Sequence, residues 1–145
     1  MIPRAMLVAP CAFSVELSAE RVASAIGRGL QQGGMPEADL CPMVPEPENP
    51  KELRELLDEV DFDARMRRAR AVVVAVRRLA ERTLLHSPTF EIASRARQAG
   101  VPAYAVTGEN ALDPFDARIL DLQVILEART TRALLAAGRK LAGLA

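Results

Sequence analysis

Residues 6–30 constrain the fold of this chain more than any other stretch. Residues 5–9 (Ala-Met-Leu-Val-Ala) are a short apolar run ahead of Pro10, the pattern of a central strand buried on both faces. Ser18 then supplies an N-cap, and Leu17 before it pairs with Val22 as a hydrophobic staple. Glu20 sits in the first turn, where the helix dipole favours an anion. Val22, Ile26 and Leu30 recur every four residues, with Ala19 and Ala23 beside them, so one face of the helix is apolar. Gly33 and Gly34 end it. A buried strand followed by a helix that must cover it calls for further strands on both sides.

The remaining chain supplies them. Residues 38–43 read as a second short strand, and residues 44–50, with three prolines, as a loop. Asn49, Pro50 and Glu52 start a helix whose face is Leu53, Leu56, Leu57 and Val60. Asp61-Phe62-Asp63 breaks or re-caps it, and Arg65, Arg67, Arg68 and Arg70 crowd the approach to a third strand at 71–76. Residues 77–86 form a connection with some helical character. Ser87 and Pro88 open the next helix, lined by Ile92, Ala93, Ala96 and Ala99 and closed by Gly100. A fourth strand follows at 103–107, then a loop at 108–111. Asp113, Pro114 and Asp116 cap a short helix, residues 122–126 form a fifth strand, and residues 129–143 form the closing helix.

Five strands alternating with five helices define an α/β fold. The expectation is a three-layer, doubly wound, mostly parallel five-stranded sheet, Rossmann- or flavodoxin-like, with order 2-1-3-4-5. At 145 residues the chain makes one domain, spanning 1–145. Ligands of such folds bind at the carboxyl ends of the strands, beside the switch point between strands 1 and 3.

Composition narrows the function classes. Lys+Arg and Asp+Glu balance at 19 each, which argues against a nucleic-acid binder or a membrane-surface protein held by charge. With one Tyr, four Phe and no Trp, stacking platforms for bases are not expected. No apolar run is long enough to span a bilayer. Pro3, Arg4 and Pro10 interrupt any signal-peptide core, so the expected location is cytoplasmic. Cys11 and Cys41 then read as free thiols serving as small core hydrophobes, although both end neighbouring strands. No Walker glycine loop, G-x-G-x-x-G fingerprint or metal-ligand spacing is present. His86 precedes a helix cap and reads as a loop residue, and nothing joins it to Ser14 or Ser87 as a hydrolase triad.

Arg77 and Arg78 follow the third strand at the expected ligand edge, and the helix N-termini at Ser18 and Ser87 open toward it. Arginines and free backbone N–H groups together suit an anion. The competing reading pairs these arginines with Glu16, Glu81 or Glu109. Ser14, Ser18, Arg77, Arg78, Ser87, Thr107, Gly108 and Glu109 are the candidate ligand-binding residues.

The matching segments Leu7-Val8-Ala9-Pro10, Phe13, Leu17-Ser18-Ala19 and Leu40-Cys41-Pro42-Met43 resemble the first two strands and helix of bacterial glycerate kinases. Thr83-Leu84-Leu85 and the run from Ile92 to Pro102 resemble a later helix and strand of that family. The resemblance covers most of the chain but lacks the family's long middle, which carries its second domain; the join falls within 44–70. It implies a kinase scaffold, with ATP and magnesium as cofactors only if activity is kept. The residues that would carry activity differ. The Asp that follows Ala-Pro in the family is Cys11 here, the turn's Lys is Ser14 and its Gly is Val15. The glycine-rich acidic loop is replaced by residues 44–49, where Glu48 could keep the acid but the glycines are gone. Of the family's Thr-Gly-Glu-Gly-Arg-Leu-Asp signature only Arg78-Leu79 survives, before Ala80. Residues 107–113 (Thr-Gly-Glu-Asn-Ala-Leu-Asp) echo that signature one strand late.

Phosphoryl transfer needs positioned cations, metal-binding carboxylates and a closed cleft. The expectation is therefore a non-catalytic, glycerate-kinase-like domain, a pseudoenzyme that binds a small anionic molecule or a protein partner and requires no cofactor. The alternatives are a glycerate-kinase-type phosphotransferase completed by a second chain, and a homodimeric interaction protein presenting an apolar patch around Leu134, Leu135 and Leu141.

Overall fold

The computed structural model describes residues 4–80 and 87–145. Its sheet has five strands in the order β2-β1-β3-β4-β5, and every pairing is parallel. The strands are β1 (Leu7–Pro10), β2 (Asp39–Leu40), β3 (Val72–Leu79), β4 (Ala103–Asn110) and β5 (Leu122–Glu127). The helices are α1 (Ala19–Gln32), α2 (Pro50–Glu59), α3 (Phe62–Arg68), α4 (Pro88–Ala99), α5 (Pro114–Leu120) and α6 (Thr131–Leu144). The doubly wound fold expected from the sequence is thus present, with the expected strand order and, among the described residues, no antiparallel strand.

Strand alternation divides the core in two. Met6, Val8, Val73, Ala75, Tyr104 and Val106 face α1 and α6. Leu7, Ala9, Val72, Val74, Ala103 and Ala105 face the other side, where Leu57 of α2, Phe62 and Met66 of α3 and Ile92 of α4 pack on them.

The first core depends on α1 and α6 meeting backbone to backbone. Gly29 and Gly138 leave no room for a side chain. A methyl group at Gly29 would run into the Leu135 carbonyl oxygen and lie 2.9 Å from the Gly138 Cα, and one at Gly138 would run into the Ile26 carbonyl oxygen. Leu134 and Leu141 of α6 are fully buried there and Leu135 is half-buried, so two of the three leucines of the expected apolar patch are core, not surface.

Caps fall where the sequence places them. Ser18, Asn49, Ser87 and Asp113 each accept a backbone N–H from the first turn of their helices. Several boundaries differ. The second strand, expected over 38–43, is only Asp39–Leu40; Cys41 and Met43 N–H still donate to the Val8 and Pro10 carbonyls at 2.8 and 2.9 Å, but Pro10 has no N–H with which β1 could donate back. The third and fourth strands run past 76 and 107, pairing Arg78 with Glu109 and Leu79 with Asn110. Polar residues at these ends read as connection and loop in the sequence, yet each strand supplies the other's ladder. The closing helix begins at Thr131, capped by Thr130, rather than at 129. Ala99 is exposed at the end of α4 instead of lining its inner face.

A sixth helix, α3, starts directly after Asp61, where the sequence leaves a break or a new cap open, and it carries Arg65, Arg67 and Arg68. Arg65 of α3 explains part of that cluster. Its guanidinium grips Asp39 through two nitrogens, at 2.6 and 3.0 Å, and donates to the Leu40 and Val60 carbonyls at 3.1 and 3.3 Å. Arg95 of α4 bridges Glu91 and Asp63, each at 3.0 Å, and so ties α4 to α3.

The glycine contact is testable by denaturation. Gly138→Ala should lower the unfolding free energy by about 1–3 kcal/mol, the usual cost of overpacking. Gly143→Ala, on the same helix with open space around it, should be neutral or slightly stabilising in the same urea titration.

Candidate functional site

The crevice follows from the order of the strands. The chain leaves β1 toward β2 and leaves β3 toward β4, so right-handed crossovers send α1 and α4 to opposite faces of the sheet. The β1–α1 loop therefore arches over the carboxyl ends of β3 and β4 on the α1 side. Phe13, Ser14 and Leu17 of this loop, Arg77 of β3, Gly108 and Glu109 of β4, and Arg129 between β5 and α6 line a cleft of about 220 Å³.

The loop holds its own shape. Phe13 N–H and Ser14 N–H both donate to the Leu17 carbonyl, at 2.8 and 3.3 Å, and the Ser14 hydroxyl accepts from Leu17 N–H at 2.9 Å. That leaves the Ser14 hydroxyl hydrogen free to donate elsewhere. Phe13 is buried against the sheet and gives the cleft an apolar wall. Gly108 is required by close approach, since a Cβ there would lie 2.7 Å from the Arg77 carbonyl oxygen.

Two arginines reach the cleft from different strand ends. Arg129 is anchored by its Nε, which donates to the Gly108 carbonyl at 2.7 Å, leaving its terminal nitrogens uncommitted among the described residues. Arg77 is exposed and has no side-chain partner among the described residues. Arg78, one position on, turns away and pairs with Glu109 at 3.1 Å. Thr107 is fully buried and donates to the Glu109 carbonyl at 3.1 Å, shaping the turn-off of β4.

Of the eight residues expected to bind a ligand, the cleft brings together Ser14, Arg77, Gly108 and Glu109. The other four do not line it. Ser18 is occupied as the α1 cap, accepting from Arg21 N–H at 3.2 Å. Ser87 caps α4, across the sheet from α1, so the two helix N-termini do not converge. Arg78 is taken up by Glu109, and Thr107 lies beneath the surface. Sequence reading missed Arg129; its only signal is a basic residue directly after the fifth strand, at the same sheet edge. His86, Glu81 and the Thr83-Leu84-Leu85 segment lie outside the described residues.

The thiols offer no chemistry at this edge. Cys11 and Cys41 are unbridged and buried in the second core. Burial, reinforced by the neighbouring Glu46 carboxylate, pushes the Cys11 thiol up to about 12. Burial also raises Cys41, against an opposing pull from Arg65. Neither is a thiolate at neutral pH, so neither is a nucleophile. Among the described residues, no group of three or more His, Cys, Asp or Glu side chains could hold a metal ion, and no helix is long and apolar enough to cross a membrane.

No protein-family model matches the chain, and the curated proteins give no match.

The buried thiols set a pH dependence. Because the folded-state pKa of Cys11 lies above its ordinary value of 9.0, its contribution to stability is complete below pH 9 and is lost as pH rises toward 12. The unfolding free energy of Cys11→Ala should decline less across that window than that of the parent chain, by urea titration at each pH. Both thiols should resist a soluble disulfide reagent at pH 8 until denaturant is added.

Proposed function

We propose that this chain is a non-catalytic, glycerate-kinase-like domain that binds a small anion in the cleft at the carboxyl edge of its sheet. The observation that carries this reading is the convergence of Arg77 and Arg129 on one cleft, with Arg77 left without a carboxylate partner among the described residues. Two guanidinium groups presented from separate strand ends suit a carboxylate or phosphate better than a neutral ligand. The Ser14 hydroxyl adds a third donor, and Phe13 and Leu17 offer an apolar wall to a short carbon chain. The volume of about 220 Å³ is below the usual range for drug-sized ligands, so the ligand is a compact acid.

The non-catalytic part of the proposal rests on the residue exchanges at Cys11, Ser14 and Val15 and on the loss of the acidic signature after β3. Cys11 stays a neutral thiol, and residues 44–49 carry no glycine that would let backbone close around a phosphate.

A thermal-shift titration tests both parts. Inorganic phosphate, glycerate and phosphorylated three-carbon acids should raise the melting temperature in a saturable way, since a ligand of the native state stabilises it. Arg77→Ala or Arg129→Ala should weaken binding by roughly 10- to 100-fold, the loss of one charge-assisted hydrogen bond. Arg54→Ala, on the exposed face of α2, should leave it unchanged. The absence of a shift with every anion, or a shift that survives both cleft substitutions, overturns the binding assignment. ATP-dependent phosphorylation of glycerate by the purified chain overturns the non-catalytic one.

A further inference from the structure

We infer that the anion held in the cleft at the carboxyl edge is a dianion, the phosphate monoester of a short apolar carbon chain. The inference rests on the anion-binding reading given above and narrows its ligand. Two observations carry it: the charge gathered around the cleft, and the directions from which its donors come.

Arg77 and Arg129 line the cleft, and neither is paired with a carboxylate among the described residues. The one acid bordering it, Glu109, is the register partner of Arg78. Gly108 faces Phe13 and the Arg77 carbonyl, so strand alternation sends the Glu109 side chain to the opposite face, where Arg78 holds it at 3.1 Å. Glu16 and Glu20, the acids nearest Ser14 and Leu17 in sequence, do not line the cleft. Two helices add to the two guanidinium charges. α1 and α6 run parallel: a side chain at Gly29 would meet Gly138, and one at Gly33, a turn further on, would meet Ala142, a turn further on in α6. Both helices begin at the carboxyl edge of the sheet. Leu17, next to the α1 cap Ser18, and Arg129, next to the α6 cap Thr130, line the cleft. Each helix N-terminus carries roughly half a positive charge. Beside two guanidinium groups, that field is neutralised only in part by one carboxylate; a phosphate monoester brings about two charges at neutral pH. Neighbouring parallel helix dipoles also repel each other, and a dianion at their common positive end offsets the repulsion.

The donors stand on three separate segments. Ser14, on the β1–α1 loop, has its hydroxyl hydrogen to give, because its oxygen already accepts from Leu17 N–H. Arg77 reaches in from the end of β3, and Arg129 from the β5–α6 junction. A carboxylate presents two oxygens in one plane and is satisfied by the two guanidinium groups alone. A phosphoryl group presents three terminal oxygens around a tetrahedral centre, one for each segment. Its fourth oxygen carries the carbon chain, and Phe13 and Leu17 provide the apolar wall that covers it.

Isothermal titration calorimetry on the full chain at pH 8 tests the inference, since a phosphate monoester with a second pKa of about 6 is a dianion there. The probes are propyl phosphate, butyrate and diethyl phosphate, the last keeping the tetrahedral centre with a single charge. Propyl phosphate should bind about tenfold or more tighter than either monoanion. Ser14→Ala should weaken propyl phosphate by about tenfold, the loss of one hydrogen bond to a charged group, and leave butyrate unchanged. Ser14→Thr, which keeps the hydroxyl, should keep the preference. Butyrate or diethyl phosphate binding as tightly as propyl phosphate overturns the dianion and leaves the anion-binding reading standing. A preference that survives Ser14→Ala undiminished overturns the three-sided hold on the phosphoryl group. Binding of none of the three overturns the anion-binding reading itself, and this inference with it.

Discussion

The pairing of β1 with β3 is the constraint on which the rest of the molecule depends. β1 has four residues, all buried, and it is hydrogen-bonded on both edges. Leu7 N–H reaches Ala71 O at 3.0 Å and Cys11 N–H reaches Ala75 O at 2.8 Å, while Asp39 and Cys41 donate back to Met6 and Val8 at 2.8 Å. With β2 on one side and β3 on the other, successive crossovers must run outward in opposite directions. Their common right-handedness then forces α1 and α4 to opposite faces, and the loops above β1 and β3 part. The crevice is a result of chain direction before any side chain is chosen.

What gives that crevice a fixed shape is the glycine contact between α1 and α6. The β1–α1 loop contributes Phe13 and Ser14, and the β5–α6 junction contributes Arg129. These segments are far apart in sequence, and the helices that continue from them touch at Gly29 and Gly138. The bond from Arg129 Nε to the Gly108 carbonyl then sets the guanidinium relative to β4. Arg77 enters from β3 between them. On the reading proposed above, an anion held from three strand ends needs rigid spacing, because a guanidinium displaced by about an ångström no longer shares it with its neighbour. Close helix packing away from the cleft provides that spacing.

Much of the fold was legible in the sequence, and the reasons are local. Leu7 to Ala9 before Pro10, the caps at Ser18, Asn49, Ser87 and Asp113, and Gly100 in its left-handed turn each act within a few residues. Half of the candidate site was legible for the same reason: strand ends mark the ligand edge. The rest depended on partners distant in the chain. Arg78 pairs with Glu109 only because β3 and β4 extend together through polar residues that resemble loops. Arg65 serves β2 from a helix that its neighbouring arginines obscured. Ser87 fails to reach the cleft because of the face its helix takes, which no local pattern encodes. Arg129 enters because α6 is held against α1, a contact between glycines that read as ordinary helix positions.

The cleft gathers guanidinium groups from two strand ends at one sheet edge. A phosphoryl transfer site has to neutralise several charges at once and exclude water from both the phosphate and its acceptor. Among the described residues the cleft offers two arginines and a hydroxyl, and the one carboxylate lining it, Glu109, is engaged by Arg78. Cys11, just past the end of β1, is buried in the second core at 4 % exposure with its proton retained. On the reading proposed above, two guanidinium groups held at a rigid sheet edge, with no thiolate beside them, suit the retention of a compact anion.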